Sequence, residues 1–126
     1  MSYRGMVMRA RQGLVFVTLT ASVLFLVSLT AQDQGQVREF TIVGDHYAFS
    51  PATIQVNKND LVKITFTAHD IPHSFTLDEY RIVKRASAGQ TVTFEFRADR
   101  SDTFTFYCNL SQDAKCKEMK GSLTVR

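Results

Sequence analysis

The sequence predicts an all-β fold, a small antiparallel sandwich or barrel of about eight short strands. From residue 37 onward, apolar and polar residues alternate with a period of two, and the alternating runs are rich in β-branched and aromatic residues. Turn-forming residues separate these runs at regular spacing, as is typical of such folds. The 126 residues, 44% of them hydrophobic and 21% charged, suffice for one folded domain and exclude general disorder.

The first three predicted strands lie before residue 68. Residues 38–43 place Phe40 and Ile42 on one face of a strand, and residues 53–56 form a second run just after a proline. The turn-rich residues 57–60 follow, and 61–67 then carries three apolar residues in phase. These runs predict strands with one buried face.

Five further runs complete the predicted set. Residues 73–77 are a short strand with alternate residues on an apolar face, and 80–83 is a less regular candidate. After a turn, 91–97 alternates almost without fault, and after another turn 103–108 does the same. Residues 121–125 close the chain as the last predicted strand.

One stretch in the second half lacks strand character. Residues 109–120 are polar and irregular, with room for one helical turn. A loop of that length between two strands of a small sandwich is where a functional site is expected. The ten phenylalanines of the chain, mostly in phase with the apolar faces, are expected to fill the core.

Residues 1–31 are predicted to be a signal peptide or a single membrane anchor, joined by a linker, 32–36, to the domain at 37–126. Three arginines and no acidic residue precede the uncharged apolar run 14–29. That run is a little shorter than the ~20 residues that span a bilayer comfortably, so both cleavage and retention stay open. Because positive flanks stay in the cytoplasm, we predict an exported, periplasmic or extracytoplasmic domain that meets a membrane only through this segment.

The distribution of charge excludes a nucleic-acid partner. The formal net charge is +3, and the three N-terminal arginines account for it. The rest of the chain is therefore neutral and predicts no basic patch. It also offers no carboxylate pair for acid–base catalysis, no hydrolase triad and no phosphate-binding loop, so we expect no enzymatic activity.

Four side chains with soft or borderline donor atoms converge in the predicted fold. His73 begins one strand and Cys108 ends another, each in phase with apolar neighbours. The irregular loop adds Cys116 and Met119 just before the last strand. A histidine, one or two thiolates and a thioether favour copper, whereas methionine is a poor ligand for zinc.

At these residues the sequence resembles the cupredoxins. The resemblance lies in segments 106–109 and 119–125 around the loop and in segments 47–51 and 70–75 upstream. It covers nearly all of residues 37–126. It is strongest to the dinuclear-copper domain of cytochrome oxidase subunit II and nitrous-oxide reductase. The resemblance implies a Greek-key β-sandwich with copper at one end.

The loop departs from the dinuclear pattern Cys-x3-Cys-x3-His-x2-Met. Aligned from Cys108, the second cysteine of that pattern falls on Gln112 and its histidine falls on Cys116, while Met119 matches its methionine. The Cys-x7-Cys-x2-Met loop is instead similar to that of a group of exported cupredoxin-like domain proteins. The resemblance therefore implies a mononuclear site for one copper ion, with His73, Cys108, Cys116 and Met119 as ligands.

Two thiolates on one copper favour Cu(I), so we expect either a low-potential electron carrier or a Cu(I)-handling protein. Its partner would be a redox protein or a copper donor or acceptor. Because two cysteines in an oxidising compartment usually pair, the alternative is a metal-free binding or structural sandwich with a Cys108–Cys116 disulfide. A zinc-holding domain is a third hypothesis. His46 and His69 are expected at the surface, with His46 kept as an alternative nitrogen ligand.

Overall fold

The computed structural model describes Gly13 and residues 34–126, so the predicted signal or anchor, apart from Gly13, lies outside the described residues. The described chain contains nine strands: β1 (Val37–Asp45), β2 (Ala48–Ser50), β3 (Thr53–Val56), β4 (Leu61–Ala68), β5 (His73–Leu77), β6 (Ile82–Ala86), β7 (Thr91–Arg97), β8 (Asp102–Tyr107) and β9 (Lys120–Val125). Two single 3₁₀ turns, Asp78–Tyr80 and Cys116–Glu118, interrupt them. None of the helical segments in this part of the chain has the length and apolarity needed to cross a bilayer.

The strands form two sheets that pack face to face around one core. One sheet has the order β2-β1-β4-β7 and the other the order β3-β9-β8-β5-β6. The sandwich is as predicted, but the expectation of purely antiparallel pairing is wrong. β1 pairs with β4 in parallel, and β3 pairs with β9 in parallel. Alternation is typical of antiparallel sheets, but it reports only that one face of a strand is buried. The parallel strands β3 and β4 also bury one face in this sandwich, so their alternation does not reveal strand direction.

Two strand predictions also need correction. β2 was not predicted, because it is only three residues long and follows a two-residue turn, His46–Tyr47, that contains no glycine. Both turn residues have positive φ, at 48° and 60°, which sequence patterns seldom assign to histidine and tyrosine. The run 80–83 begins instead as a 3₁₀ turn, and β6 starts at Ile82, after Arg81 has turned the chain in a left-handed conformation.

The core is aromatic, as the phenylalanine pattern predicts. Phe75 and Phe106 stack with ring centroids 4.7 Å apart, and Phe49 meets the Phe106 ring edge-on at 5.0 Å. Offset and edge-on aromatic pairs add specific attraction to the burial of their large apolar surfaces. All five residues of β5 are buried, so both faces of this strand are shielded from solvent. The position of β5 therefore allows little freedom to the residue at its start.

A buried carboxylate, Asp60, organises the connection into β4. Its two oxygens accept hydrogen bonds from the backbone N–H groups of Gln36 and Asn57, both at 2.8 Å. The hydrogen bond from Gln36 lowers the pKa of Asp60, and that from Asn57 acts in the same direction, against the opposing effect of burial. The charged form of Asp60 thus holds the start of β1 against the turn before β4.

We predict that Asp60→Asn lowers the free energy of unfolding at pH 7 by about 1–3 kcal/mol, because an amide cannot accept both hydrogen bonds as a carboxylate does. The folded-state pKa lies below the unfolded value of about 3.9, so this stability is present above pH ~4 and is lost as the pH falls through the folded value. Urea unfolding of both proteins should show a difference that shrinks at acidic pH.

The control for that experiment is Asp99→Asn, since Asp99 is exposed and lies 3.7 Å from Arg100 in a surface ion pair. It should change stability by less than about 0.5 kcal/mol. Equal effects of the two substitutions at pH 7, or a difference that persists unchanged at low pH, would contradict the role of Asp60.

Candidate metal centre

The four predicted ligands lie at one end of the sandwich and are all buried. β5 begins with His73 at the end where β8 gives way to Cys108, and the 109–120 loop adds Cys116 on its 3₁₀ turn and Met119 just before β9. Their relative exposures are 0% for His73 and Cys108 and 1% for Cys116 and Met119. The loop contains the single helical turn that its sequence allowed. No described contact places all four donor atoms around one point, so the mononuclear ligand set stays a prediction.

Cys108 and Cys116 form a disulfide, the pairing of the metal-free alternative. Their Cα atoms are 5.1 Å apart, and the sequence contains no third cysteine. Each sulfur lies close to a backbone N–H group: that of Ser74 is 3.4 Å from Cys108 Sγ, and that of Leu110 is 3.1 Å from Cys116 Sγ. A disulfide sulfur is a weak acceptor and a thiolate is a strong one, so these two donors favour thiolates once the bond is reduced.

His73 has one ring nitrogen engaged and one without a partner. Nε2 lies 2.7 Å from Asp70 Oδ1, and because a carboxylate only accepts, Nε2 carries the proton and donates it. Nδ1 is buried and has no hydrogen-bond partner in the structure. In the neutral ring Nδ1 therefore presents a lone pair. Histidines that bind metals commonly donate their other N–H to a carboxylate in this way.

Burial by itself would raise the pKa of Asp70, but hydrogen bonds outweigh it. The His73 ring and the backbone N–H groups of His46 and Ile71 donate to this carboxylate and bring its pKa well below its ordinary value. Asp70 is therefore ionised at neutral pH and keeps the proton of His73 on Nε2.

Met119 and His73 lie against the same glycine. A Cβ placed on Gly44, in β1, would lie 3.1 Å from the Met119 methyl and 3.2 Å from His73 Cδ2. The absence of a side chain at Gly44 thus makes room for both predicted ligands. The backbone of Met119 is fixed as well, because its carbonyl accepts the N–H of Cys108 at 3.1 Å and its N–H donates to the Cys116 carbonyl at 3.0 Å.

A reciprocal pair of hydrogen bonds joins β5, which begins with His73, to the segment just after β8 that contains Cys108. The Ser74 hydroxyl donates to Asn109 Oδ1 and accepts the Asn109 backbone N–H, both at 2.7 Å. Each partner directly follows a predicted ligand in sequence. The pair therefore sets the position of one ligand relative to the other.

Tyr47 covers the His73 ring from the side of the β1–β2 turn. The two rings meet edge-on with centroids 6.1 Å apart, and the Tyr47 hydroxyl donates to Asp113 Oδ2 at 2.6 Å. This hydrogen bond raises the pKa of Tyr47 and lowers that of Asp113, which is therefore ionised. The contact joins the turn to the 109–120 loop above the buried histidine.

Sequence reasoning missed the supporting residues. One signal was present for Asp70, since a carboxylate three residues before a predicted histidine ligand suggests a hydrogen-bonded pair. Tyr47, Ser74 and Asn109 lie in segments that carry the resemblance, but no signal assigned them a role in the site. Gly44 had no signal at all, because these contacts form only in the folded chain. His46 and His69 are at the surface as expected, with 85% and 71% of their side chains exposed.

The sequence matches the cupredoxin-like domain family over residues 17–125. The chain belongs to this family. The observed two-sheet sandwich agrees with the cupredoxin fold that the loop and strand motifs implied. A search of curated proteins finds no match.

Solved structures with the same fold include copper proteins. The metal-binding domain of the Cu(I)-exporting P-type ATPase CopA of Streptococcus pneumoniae D39 aligns with a TM-score of 0.61 and 22% identity, covering 71% of this chain and 86% of that one. Auracyanin A, a blue copper protein of Chloroflexus aurantiacus, aligns with a TM-score of 0.61 and 16% identity, covering 71% of this chain and 99% of that one. The periplasmic domain of cytochrome oxidase subunit II (CoxB) of Bradyrhizobium japonicum aligns with a TM-score of 0.62 and 14% identity, covering 70% of this chain and 83% of that one. The fold is thus related to those of copper-binding and electron-transfer proteins.

We predict that Ser74→Ala lowers the free energy of unfolding by about 1–2 kcal/mol, because it removes both hydrogen bonds to Asn109. Urea unfolding of the oxidised protein measures the change. The matched control is Ser87→Ala at an exposed turn, which should stay within about 0.5 kcal/mol of wild type. If the two variants were equally stable, the Ser74–Asn109 pair would not constrain the site.

The disulfide is predicted to stabilise the oxidised domain by about 2–3 kcal/mol, because it closes a loop with a sequence separation of 8 and restricts the unfolded chain. Urea unfolding with and without a dithiol reductant measures this difference. The double variant Cys108→Ala/Cys116→Ala is the control and should not respond to reductant. Unchanged stability of a wild-type protein whose thiols have been counted as free would refute the prediction.

Proposed function

We propose that the reduced domain binds one copper ion, held mainly as Cu(I), through His73, Cys108, Cys116 and Met119. The observation that carries this proposal is the buried, unpartnered Nδ1 of His73, in a ring whose orientation is fixed by the hydrogen bond of Nε2 to Asp70. A buried polar atom without a partner costs free energy unless a ligand satisfies it. The other buried donors at this end of the sandwich are two cysteine sulfurs and one thioether, a soft set that suits Cu(I).

In this proposal the disulfide is the metal-free state of the same site. Reduction adds two electrons and two protons to the Cys108–Cys116 bond and yields two thiols, which lose their protons when they bind a metal. The electrons come from a thiol or dithiol reductant. The N–H groups of Ser74 and Leu110 are already directed at the two sulfurs and would stabilise the resulting thiolates.

Copper bound here would supply a one-electron couple or a transferable Cu(I) ion. The protein's part is to keep its donors in place: Asp70 orients the His73 ring, and the Ser74–Asn109 pair fixes the start of β5 relative to Cys108. Two thiolates favour Cu(I), so we rank Cu(I) handling first. Electron transfer is the second candidate, because a rigid β frame keeps the ligand geometry nearly constant on a change of oxidation state.

We further propose that the domain is not an enzyme and works outside the cytoplasm, where it exchanges copper or electrons with a partner protein. The docking surface would lie over the loop. A depression there is lined by apolar Ile71, Pro72 and Leu110 together with Arg85 and Asp113, and the Leu110 N–H reaches Cys116 Sγ. A partner bound on this surface would be close to the sulfur ligands.

The test is Cu(I) binding by the full-length chain, reduced with a dithiol and kept under anaerobic conditions. We expect one tightly bound copper per chain, measured by competition with a Cu(I) chelator. Loss of binding is expected in Cys108→Ala and Cys116→Ala, and His73→Gln should weaken affinity by at least about 10- to 100-fold. Met119→Leu, which keeps an apolar side chain in the core, tests the thioether by itself.

The matched control is His69→Gln, which removes an exposed imidazole and should bind Cu(I) as wild type does. Stoichiometric free thiols without copper binding would refute the proposed function. A reversible, blue or purple Cu(II) form at high potential would instead favour electron transfer over Cu(I) handling.

A further inference from the structure

A second group of donor atoms lies at the same end of the fold, but at the surface. β1 and β4 run in parallel, with Gly44 opposite Ala68, so the residues that follow these two positions lie side by side. The turn at His46 and Tyr47 and the segment after β4 therefore meet at one rim. Asp45 and His46 meet His69 and Asp70 there, although the two pairs are distant in sequence.

The side chains of this rim group already contact one another. His46 Nδ1 lies 2.9 Å from Asp45 Oδ2, and His69 Nδ1 lies 3.0 Å from Asp45 Oδ1. The backbone N–H of His46 donates to Asp70 Oδ2 at 3.0 Å. One ligand atom each from Asp45, His46 and Asp70 lies within 4.8 Å of the other two.

We propose that Asp45, His46 and Asp70 form a second metal site, for a borderline divalent cation such as Cu(II). Two ligands of one such ion, each at about 2.0–2.2 Å, are about 4.4 Å apart when they lie on opposite sides of it and closer otherwise. Rotation of these partly exposed side chains must therefore bring the three atoms closer together before they share one ion. Binding replaces the proton on His46 Nδ1, which is released to water. His69 holds the other oxygen of Asp45 and orients that carboxylate.

The chemistry of the two donor sets differs. Both sets contain one imidazole nitrogen, but the buried set adds two cysteine sulfurs and a thioether, whereas the rim set adds two carboxylates. Nitrogen and oxygen ligands suit Cu(II) and Zn²⁺, while sulfur ligands suit Cu(I). The rim site is therefore distinct from the site of the proposed function in its ions as well as in its residues.

Asp70 connects the two sets. Its Oδ1 accepts the Nε2–H of His73, while its Oδ2 faces the rim group. The Asp70 carboxylate would thus connect a cation bound at the rim to the buried His73 ring.

The test uses the full-length chain with its disulfide intact, because the oxidised protein offers no thiolate and the buried sulfur set is inactive. The probe is Cu(II) alone, followed by electron paramagnetic resonance and by titration. We expect one bound Cu(II) per chain with hyperfine coupling to an imidazole nitrogen. His46→Asn should remove that coupling and lower affinity by at least about 10- to 100-fold, because it deletes a ligand.

Asparagine at position 46 is chosen because it tolerates the positive φ of 48° there, so the turn is kept. Asp45→Asn should also lose binding, and its control, Asp99→Asn at the other end of the sheet, should bind as wild type does. Failure of the oxidised wild type to bind Cu(II), or equal binding by wild type and His46→Asn, would overturn the rim site. Neither result would bear on Cu(I) binding by the reduced protein, which is measured separately.

Discussion

The junction between β5 and β8 is the constraint on which the candidate site depends. Thr76 pairs with Tyr107 in an antiparallel ladder, and continuing that register toward the strand ends places Ser74 opposite Asn109. There the ladder gives way to the reciprocal side-chain pair and to the Ser74 N–H near Cys108 Sγ. Because β5 is buried along its whole length, this register cannot shift without exposing apolar residues. The packing of the core therefore fixes the position of His73 relative to Cys108.

The sequence pattern predicts the strands that bury one face, but it does not predict how those strands are connected and paired. The run 61–67 alternates because one side of β4 faces the core, and the observed burial of β4 follows the same alternation. Its parallel pairing with β1 depends on a crossover between sheets, which no local pattern encodes.

The strand β2 was not predicted, and the reason is different. Three residues are too few to show a period, and the turn before it uses histidine and tyrosine where glycine or asparagine would have been the usual signal.

The donor atoms of the candidate centre could be found from sequence because their chemistry is unusual. A histidine and a cysteine in phase with apolar residues, followed by a second cysteine and a methionine in an irregular loop, stand out in any strand pattern. The groups that tune those donors could not be found, because their effect depends on distance in three dimensions. Gly44 matters through the space it leaves to Met119 and His73, and Tyr47 through an edge contact across the sandwich. Asp70 is intermediate, since it is near His73 in sequence but also receives the His46 backbone N–H from another strand connection.

The disulfide and the proposed copper site are two states of the same two sulfur atoms, and the surrounding structure suits both. Cα atoms 5.1 Å apart hold the sulfurs close enough to bond, and the two nearby N–H donors interact more strongly with thiolates than with a disulfide. The unpartnered Nδ1 of His73 separates the two states, because a disulfide leaves that nitrogen unsatisfied and a metal would satisfy it. A purely structural role accounts for the His73–Asp70 hydrogen bond but not for the buried Nδ1 that is left without a partner. The arrangement of His73 and Asp70 is therefore the stronger argument for the proposed buried copper site, and the disulfide must be reduced before its two sulfurs can serve as ligands there.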